Sequence, residues 1–171
     1  MRVDASPYEL KRFMPRTGPR RRVAYAGPMS PVSRVYDWFG DGRLLVADLG
    51  LACCTLEFEA AALDRPEIAP GERPTAPLAV VVSGTVPDAL VPVVREAVDV
   101  LGREVGRTPL VVAYGACASS GGPYWDSYAV ADGISQFLPV AAYVPGCPPP
   151  AGSLEDTLAG LARAGSGKAD S

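Results

Sequence analysis

Cys53, Cys54, Cys117 and Cys147 are the only cysteines of the chain, and the sequence contains no histidine. Each cysteine lies in or beside a glycine-rich turn: Gly50-Leu51-Ala52-Cys53-Cys54, Gly115-Ala116-Cys117-Ala118-Ser119-Ser120-Gly121-Gly122, and Val144-Pro145-Gly146-Cys147-Pro148-Pro149. Four thiolates without histidine form the ligand set of a [4Fe–4S] cluster, which makes electron transfer the leading reading. The glycines allow close backbone approach, so that N–H groups face the cluster's sulfurs. Pro145, Pro148 and Pro149 stiffen and shield the last loop. Two adjacent ligands need a tight, non-extended turn with some strain, because successive side chains of extended backbone point apart.

Other uses of the thiols stay open from the residues alone. Structural zinc is usually held by paired C-x₂₋₄-C knuckles, which are absent here. A cysteine nucleophile lacks the usual histidine base, and a thiol–disulfide enzyme favours C-x-x-C. Inert core thiols or isolated reactive ones are the remaining alternative. Gly84-Thr85 ends a strand but lacks the P-loop lysine, and Gly115 to Gly122 is not G-x-G-x-x-G, so phosphate and dinucleotide sites are poorly supported. Glu57 and Glu59 sit where carboxylates favour a helix N-terminus, with proton exchange linked to cluster reduction as the functional alternative. Tyr124, Trp125 and Tyr128 read as core or interface aromatics.

The elements that must position the thiols follow from hydropathy. Leu44 to Ala47, Leu78 to Gly84, Pro109 to Gly115 and Val140 to Val144 are short apolar runs, which suit parallel strands covered on both faces. Helical patterns separate them: one after the cysteine pair, one from Asp88 as N-cap over Leu90, Val94, Val98, Leu101 and Val105, a short one within 125–135, and a last one capped by Ser153. Pro66 to Pro77 must be a loop. The pattern predicts an α/β, doubly wound, flavodoxin-like fold with a mostly parallel four-stranded sheet. Its domain plan is a basic extended arm over 1–34, an iron–sulfur domain over 35–164 and a disordered tail over 165–171. The cysteine loops then all follow strand C-termini and meet at one edge of the sheet.

The chain is 171 residues long, enough for one domain with a real core. The net charge of −3 conceals a basic start, with Arg2, Lys11, Arg12, Arg16 and Arg20 to Arg22 against Asp4 and Glu9. That arm is either a solvated terminus or a dock for an acidic partner or anionic lipid. Nucleic acid is disfavoured by the acidic remainder. No apolar run is long enough to cross a membrane, and Val23 to Pro28, next after Arg20-Arg21-Arg22, is no signal-peptide core. A reducing cytoplasmic setting is expected, where thiols seldom form disulfides.

The three cysteine loops, with Val82-Ser83-Gly84-Thr85 between them, resemble the B-type (PSST, 20 kDa) subunit family of respiratory complex I, the proton-translocating NADH–quinone oxidoreductase. The likeness runs from about residue 35 to 162. It implies one [4Fe–4S] cluster on Cys53, Cys54, Cys117 and Cys147, donating electrons to quinone at the interface with the D-type subunit. It also implies partner subunits of the hydrophilic arm, especially the D and I types, a membrane arm, and a peripheral place on the cytoplasmic face of a bacterial cell membrane. The related small subunits of [NiFe] hydrogenases usually begin with C-x-x-C, and the adjacent pair here is typical of the complex I branch. A hydrogenase-type small subunit and a non-redox, metal-stabilised interaction module are the alternatives. Phe58 and Glu59 replace two methionines on a helix that faces the quinone region in the family, and Arg73 in Gly71-Glu72-Arg73-Pro74 corresponds to the arginine of a Ser-Pro-Arg-Gln loop. Glu57, Phe58 and Arg73 are therefore the candidates for tuning the cluster or shaping the quinone region. With Val86-Pro87, Trp125-Asp126 and Pro150, these departures point to a divergent paralogue.

Overall fold

The computed structural model describes residues 34–69 and 76–166. The basic arm over 1–33, the Pro-rich loop over 70–75 and the tail from 167 lie outside them, and Arg73 with them.

Five strands form one sheet in the order β1 (Val35–Asp37), β2 (Leu45–Gly50), β3 (Leu78–Ser83), β4 (Leu110–Tyr114) and β5 (Val140–Val144). Strands β2 to β5 are the four parallel strands expected from the apolar runs, and the α/β class is borne out. The fifth, β1, pairs antiparallel with β2, Val35 facing Ala47 and Asp37 facing Leu45. Three residues are too few to carry a legible period, which is why the count of four falls one short.

The helices are α1 (Cys54–Ala62), α2 (Val91–Val105), the five-residue α3 (Ala116–Ser120) and α4 (Ser153–Ser166). Strand β3 is buried along its whole length, so its odd and even residues serve two separate cores. Leu78, Val80 and Val82 pack with Val94, Ala97, Val98 and Leu101 of α2. Ala79 and Val81 pack on the other side with Phe58 of α1 and Leu154 and Leu158 of α4. The winding explains the two layers. After α1 the chain reaches the outer side of β1, where Glu67 bridges Tyr36 and the Ile68 amide donates to Val35 O at 2.8 Å. Strands β3, β4 and β5 then step away in the opposite direction. Right-handed crossovers taken in opposite directions put their helices on opposite faces. The reversal falls between β2 and β3, the switch point at which α/β sheets open a crevice.

Several local expectations are corrected. Asp88 does not cap α2; it opens a 3₁₀ turn, Asp88–Leu90, and α2 begins at Val91 with Pro92 in its first turn. No α-helix occupies 125–135, where Ile134–Gln136 makes a single 3₁₀ turn. Ser153 is the first residue of α4 rather than its cap, its hydroxyl donating back to Pro150 O at 2.6 Å. Helix α2 ends on Gly106 in the left-handed region, whose amide donates to Arg103 O and Gly102 O.

Candidate metal centre

Four strand ends are tied side by side through backbone. The Leu51 amide donates to Ser83 O at 2.9 Å, Gly115 N to Val144 O at 2.8 Å, and Ala116 N to Gly146 O at 2.8 Å. With the Gly84 amide donating to Tyr114 O at 3.4 Å between the two pairs, these bonds bring the turn after β2, which carries Cys53 and Cys54, beside the loops of Cys117 and Cys147. The expected convergence at one sheet edge is therefore present in the backbone.

Cys53 adopts ordinary right-handed helical angles, φ −56° and ψ −37°, and α1 begins at Cys54. A helical start separates adjacent side chains by about 100°, so the pair needs no strained turn, contrary to expectation. Cys54 is 2% exposed and Cys117 6% exposed, whereas Cys53 and Cys147 are open to solvent. All four are free thiols. The Cys147–Pro148 peptide bond is cis.

Two glycines press directly on sulfur. At Gly115, with φ +91°, a Cβ would stand 2.5 Å from Cys54 Sγ. At Gly122, with φ +55°, it would stand 3.0 Å from Cys117 Sγ. Both positions thus demand glycine for shape and for backbone angle. Burial pushes the Cys54 thiol up to about 11, with Cys53, Cys117 and Glu57 adding to the rise. Burial, then Cys54 and then Glu57, likewise push the Tyr114 phenol upward. Three thiols and a carboxylate therefore share one field, and a bound cation would relieve their mutual repulsion. Among the described residues, no three cysteine, aspartate or glutamate side chains already stand in metal-holding geometry. The donor set nonetheless fits a cationic iron–sulfur core: four soft ligands, two of them buried, with Gly115 and Gly122 pressed against the buried pair.

The other candidates separate. Glu57 is half-buried and lines, with Tyr114, Pro149 and Leu154, a cleft of about 380 Å³ beside the cysteine loops. Phe58 is fully buried, its ring 6.0 Å from that of Tyr36 and 5.6 Å from that of Trp38, so it packs the core. Glu59 is exposed. Trp125 and Tyr128 are exposed rather than core, as is Leu56 on the first turn of α1. A polar network was not foreseen. Ser83 is fully buried, its Oγ donates to Asp48 Oδ1 at 3.1 Å, and it lies 3.2 Å from Thr55 Oγ1. The available signal was one acid inside the apolar run Val46-Ala47-Asp48-Leu49.

A family model described as NADH ubiquinone oxidoreductase, 20 Kd subunit, matches residues 47–161. The second B-type subunit of NADH-quinone oxidoreductase from Streptomyces griseus subsp. griseus is 41% identical over 127 residues, covering 70% of this chain and 52% of that protein. The first B-type subunit of NADH-quinone oxidoreductase from Salinispora tropica is 39% identical over 125 residues, covering 70% and 64% respectively. The chain thus spans between half and two-thirds of these curated relatives. Among solved structures, a chain of the membrane-bound sulfane sulfur reductase, an archaeal respiratory membrane complex, is similar with a TM-score of 0.51 and 19% identity, covering 77% of this chain and 76% of that one. That likeness concerns the fold.

Proposed function

This chain belongs to the NADH ubiquinone oxidoreductase 20 kDa subunit family, and from that premise we propose that it is the electron-transfer subunit of a complex I-type quinone reductase. Cys53, Cys54, Cys117 and Cys147 would hold one [4Fe–4S] cluster, which supplies one-electron chemistry when bound and passes electrons to quinone. The observation that carries the reading is the crowding of Gly115 against Cys54 Sγ and of Gly122 against Cys117 Sγ. Backbone that close to two buried sulfurs excludes water from them; the thiolates would bind the inorganic core, and the dry surroundings would tune its potential.

The chain's own groups have separate tasks in this reading. Gly115 and Gly122 keep the loops against sulfur, and the Gly146 carbonyl anchors the Cys147 loop to Ala116. Glu57 places a carboxylate at the edge of the cleft beside the cysteines, and Tyr114, held as the neutral phenol, shares its wall. Leu56, Trp125 and Tyr128 offer exposed apolar area on the loops and first helical turn around the site, suited to partner subunits of the hydrophilic arm. No helix among the described residues is long and apolar enough to cross a membrane, so attachment to a membrane arm would be through partners. Arg73 and the basic segment before residue 34 are proposed to serve the quinone region and docking, respectively.

The test is affinity isolation of the full chain from its native membranes. Co-isolation with D-type and I-type partners, together with quinone reduction that is lost in Cys117→Ser, is expected. Hydrogen-dependent reduction, or a chain that isolates alone with no quinone reductase activity, would overturn the proposal.

A further inference from the structure

Strand β2 outruns the strand that covers its outer side. β1 pairs only with Leu45–Ala47, whereas β2 continues to Gly50 and then into the cysteine turn. Among the described residues, no strand lies against Leu49 and Gly50 on that side. Which backbone groups face it follows from the bonds at either end. Leu45 N donates to Pro77 O and Leu51 N to Ser83 O, so the odd residues of β2 turn their backbone toward β3. The even residues, Gly50 among them, turn theirs toward the uncovered side. On β1 the even residues face β2, as the bond from Trp38 N to Leu44 O shows. The odd ones face away, where Asp37 N donates to Pro66 O and Val35 O accepts from Ile68 N.

A cavity of about 250 Å³ lies along this unfinished edge, lined by Asp48, Gly50, Thr55 and Glu59 toward α1 and by Val94 and Ala97 of α2. Packed interiors hold few voids larger than a water molecule, so a groove of this size has room for side chains. The residues just before β1 fit it in phase. Continuing the register that sets Val35 against Ala47 puts Arg34 opposite Asp48, Ser33 opposite Leu49, Val32 opposite Gly50 and Pro31 opposite Leu51. Val32 then directs its N–H and C=O at Gly50. Pro31 falls at an outward-facing position, where an edge strand tolerates the missing N–H. The side chains sort as well. Ser33 and Pro31 share the α2 side with Leu49 and Leu51, beside the exposed Val93. Arg34 and Val32 share the α1 side with Asp48 and Glu59. Arg34 is engaged first by Tyr36, then by Glu67 and Glu59, so a cation already stands beside these acids.

We propose that this groove is the docking site of the chain's own N-terminal arm, with residues 31–33 extending β1 along β2 as far as Gly50. Covalent continuity favours this occupant over a segment of another protein: Ser33 is bonded to Arg34, so the edge is filled without the entropy cost of association. Because β1 is antiparallel to β2, the extension runs toward the cysteine turn and clamps the strand that delivers Cys53 and Cys54. The basic part of the arm then starts from the cysteine edge of the sheet. The inference is independent of the iron–sulfur reading, since it rests on register, backbone direction and the shape of the edge.

The experiment is hydrogen–deuterium exchange of the purified full chain, read residue by residue by mass spectrometry, in wild type and two proline variants. In the wild type the Gly50 amide should exchange about tenfold or more slowly than a free amide, the size expected of one backbone hydrogen bond. Val32→Pro removes the N–H aimed at Gly50 and should abolish that protection. Ser33→Pro puts its ring on the outer side and should keep it. A freely exchanging Gly50 in the wild type overturns the proposal, as does protection that both variants lose or both retain. Protection that appears only when other subunits are present assigns the edge to a partner's strand and overturns it too. Should Val32→Pro fail to fold, the Val32 amide of the wild type decides. Slow exchange there, matching that of Gly50, supports the docked arm, and free exchange overturns it.

Discussion

At the scale of the residue, the atoms a side chain would meet decide what each position tolerates. Gly115→Ala forces a methyl against Cys54 Sγ and imposes φ +91° on an L-residue. Gly40, with φ +72°, has open space where a Cβ would go. Gly40→Ala should therefore cost about 1 kcal/mol from backbone strain alone and leave bound iron unchanged, while Gly115→Ala should lose most of the iron. Urea denaturation and iron analysis of the two variants check this. Asp48 supplies a second prediction. Its folded-state value of about 6 lies above the ordinary 3.8 because burial outweighs the hydrogen bond from Ser83, and Glu59 adds to the rise. The folded state therefore binds the proton more tightly than the unfolded chain. The stability this contributes is fully present below about pH 4 and is lost as pH rises through about 6. Asp48→Asn should consequently be more stable than wild type at pH 8, by up to about 3 kcal/mol, with the difference shrinking toward pH 4. Urea midpoints at several pH values measure it. The cysteines were legible in the sequence because soft ligands without histidine have few uses. Asp48 was not, since burial of one acid depends on which strands flank it.

At the scale of the element, short pieces are held by side chains distant in sequence. Glu155 in the first turn of α4 accepts from Trp38 Nε1 at 2.7 Å and pairs with Arg65 at 2.7 Å. Arg65 also donates to Trp38 O at 2.7 Å, so the ends of α1 and α4 and the turn after β1 share one node. Trp38 is fully buried. Glu155→Ala should leave its indole N–H unpaired and cost about 1–3 kcal/mol, most of it the desolvated donor rather than the partly exposed ion pair. A lower urea midpoint with unchanged iron content is the expected result. Parallel strands β2 to β5 could be read from their apolar runs, because burial on both faces leaves no polar alternation. Strand β1 could not, since its three residues are strand by virtue of the partner at Leu45–Ala47. The start of α2 was misplaced for a similar reason: the Asp88 amide donates to Ala129 O, a long-range bond that favours a turn over a cap.

At the scale of the whole molecule, winding in two directions from β2 opens the sheet where the cysteine loops meet. Of the four thiols, Cys54 and Cys117 are packed inside and Cys53 and Cys147 face outward. The site is thus half built by the core and half presented at the surface, an arrangement that the proposed electron relay between two neighbours would require. Phe58 illustrates where family likeness and local physics part: the resemblance assigns its helix to the quinone region, and in this chain its ring fills the space between Tyr36 and Trp38. The central claim is that the four cysteines hold one redox-active cubane. It is tested most directly by low-temperature EPR of the anaerobically purified or reconstituted chain after dithionite reduction, with metal and sulfide analysis of the same sample. The account predicts about four irons and four sulfides per chain, as a cubane contains, and a reduced-cluster signal that is absent in Cys54→Ser. Stoichiometric zinc without iron, or a signal that persists in Cys54→Ser, would contradict it.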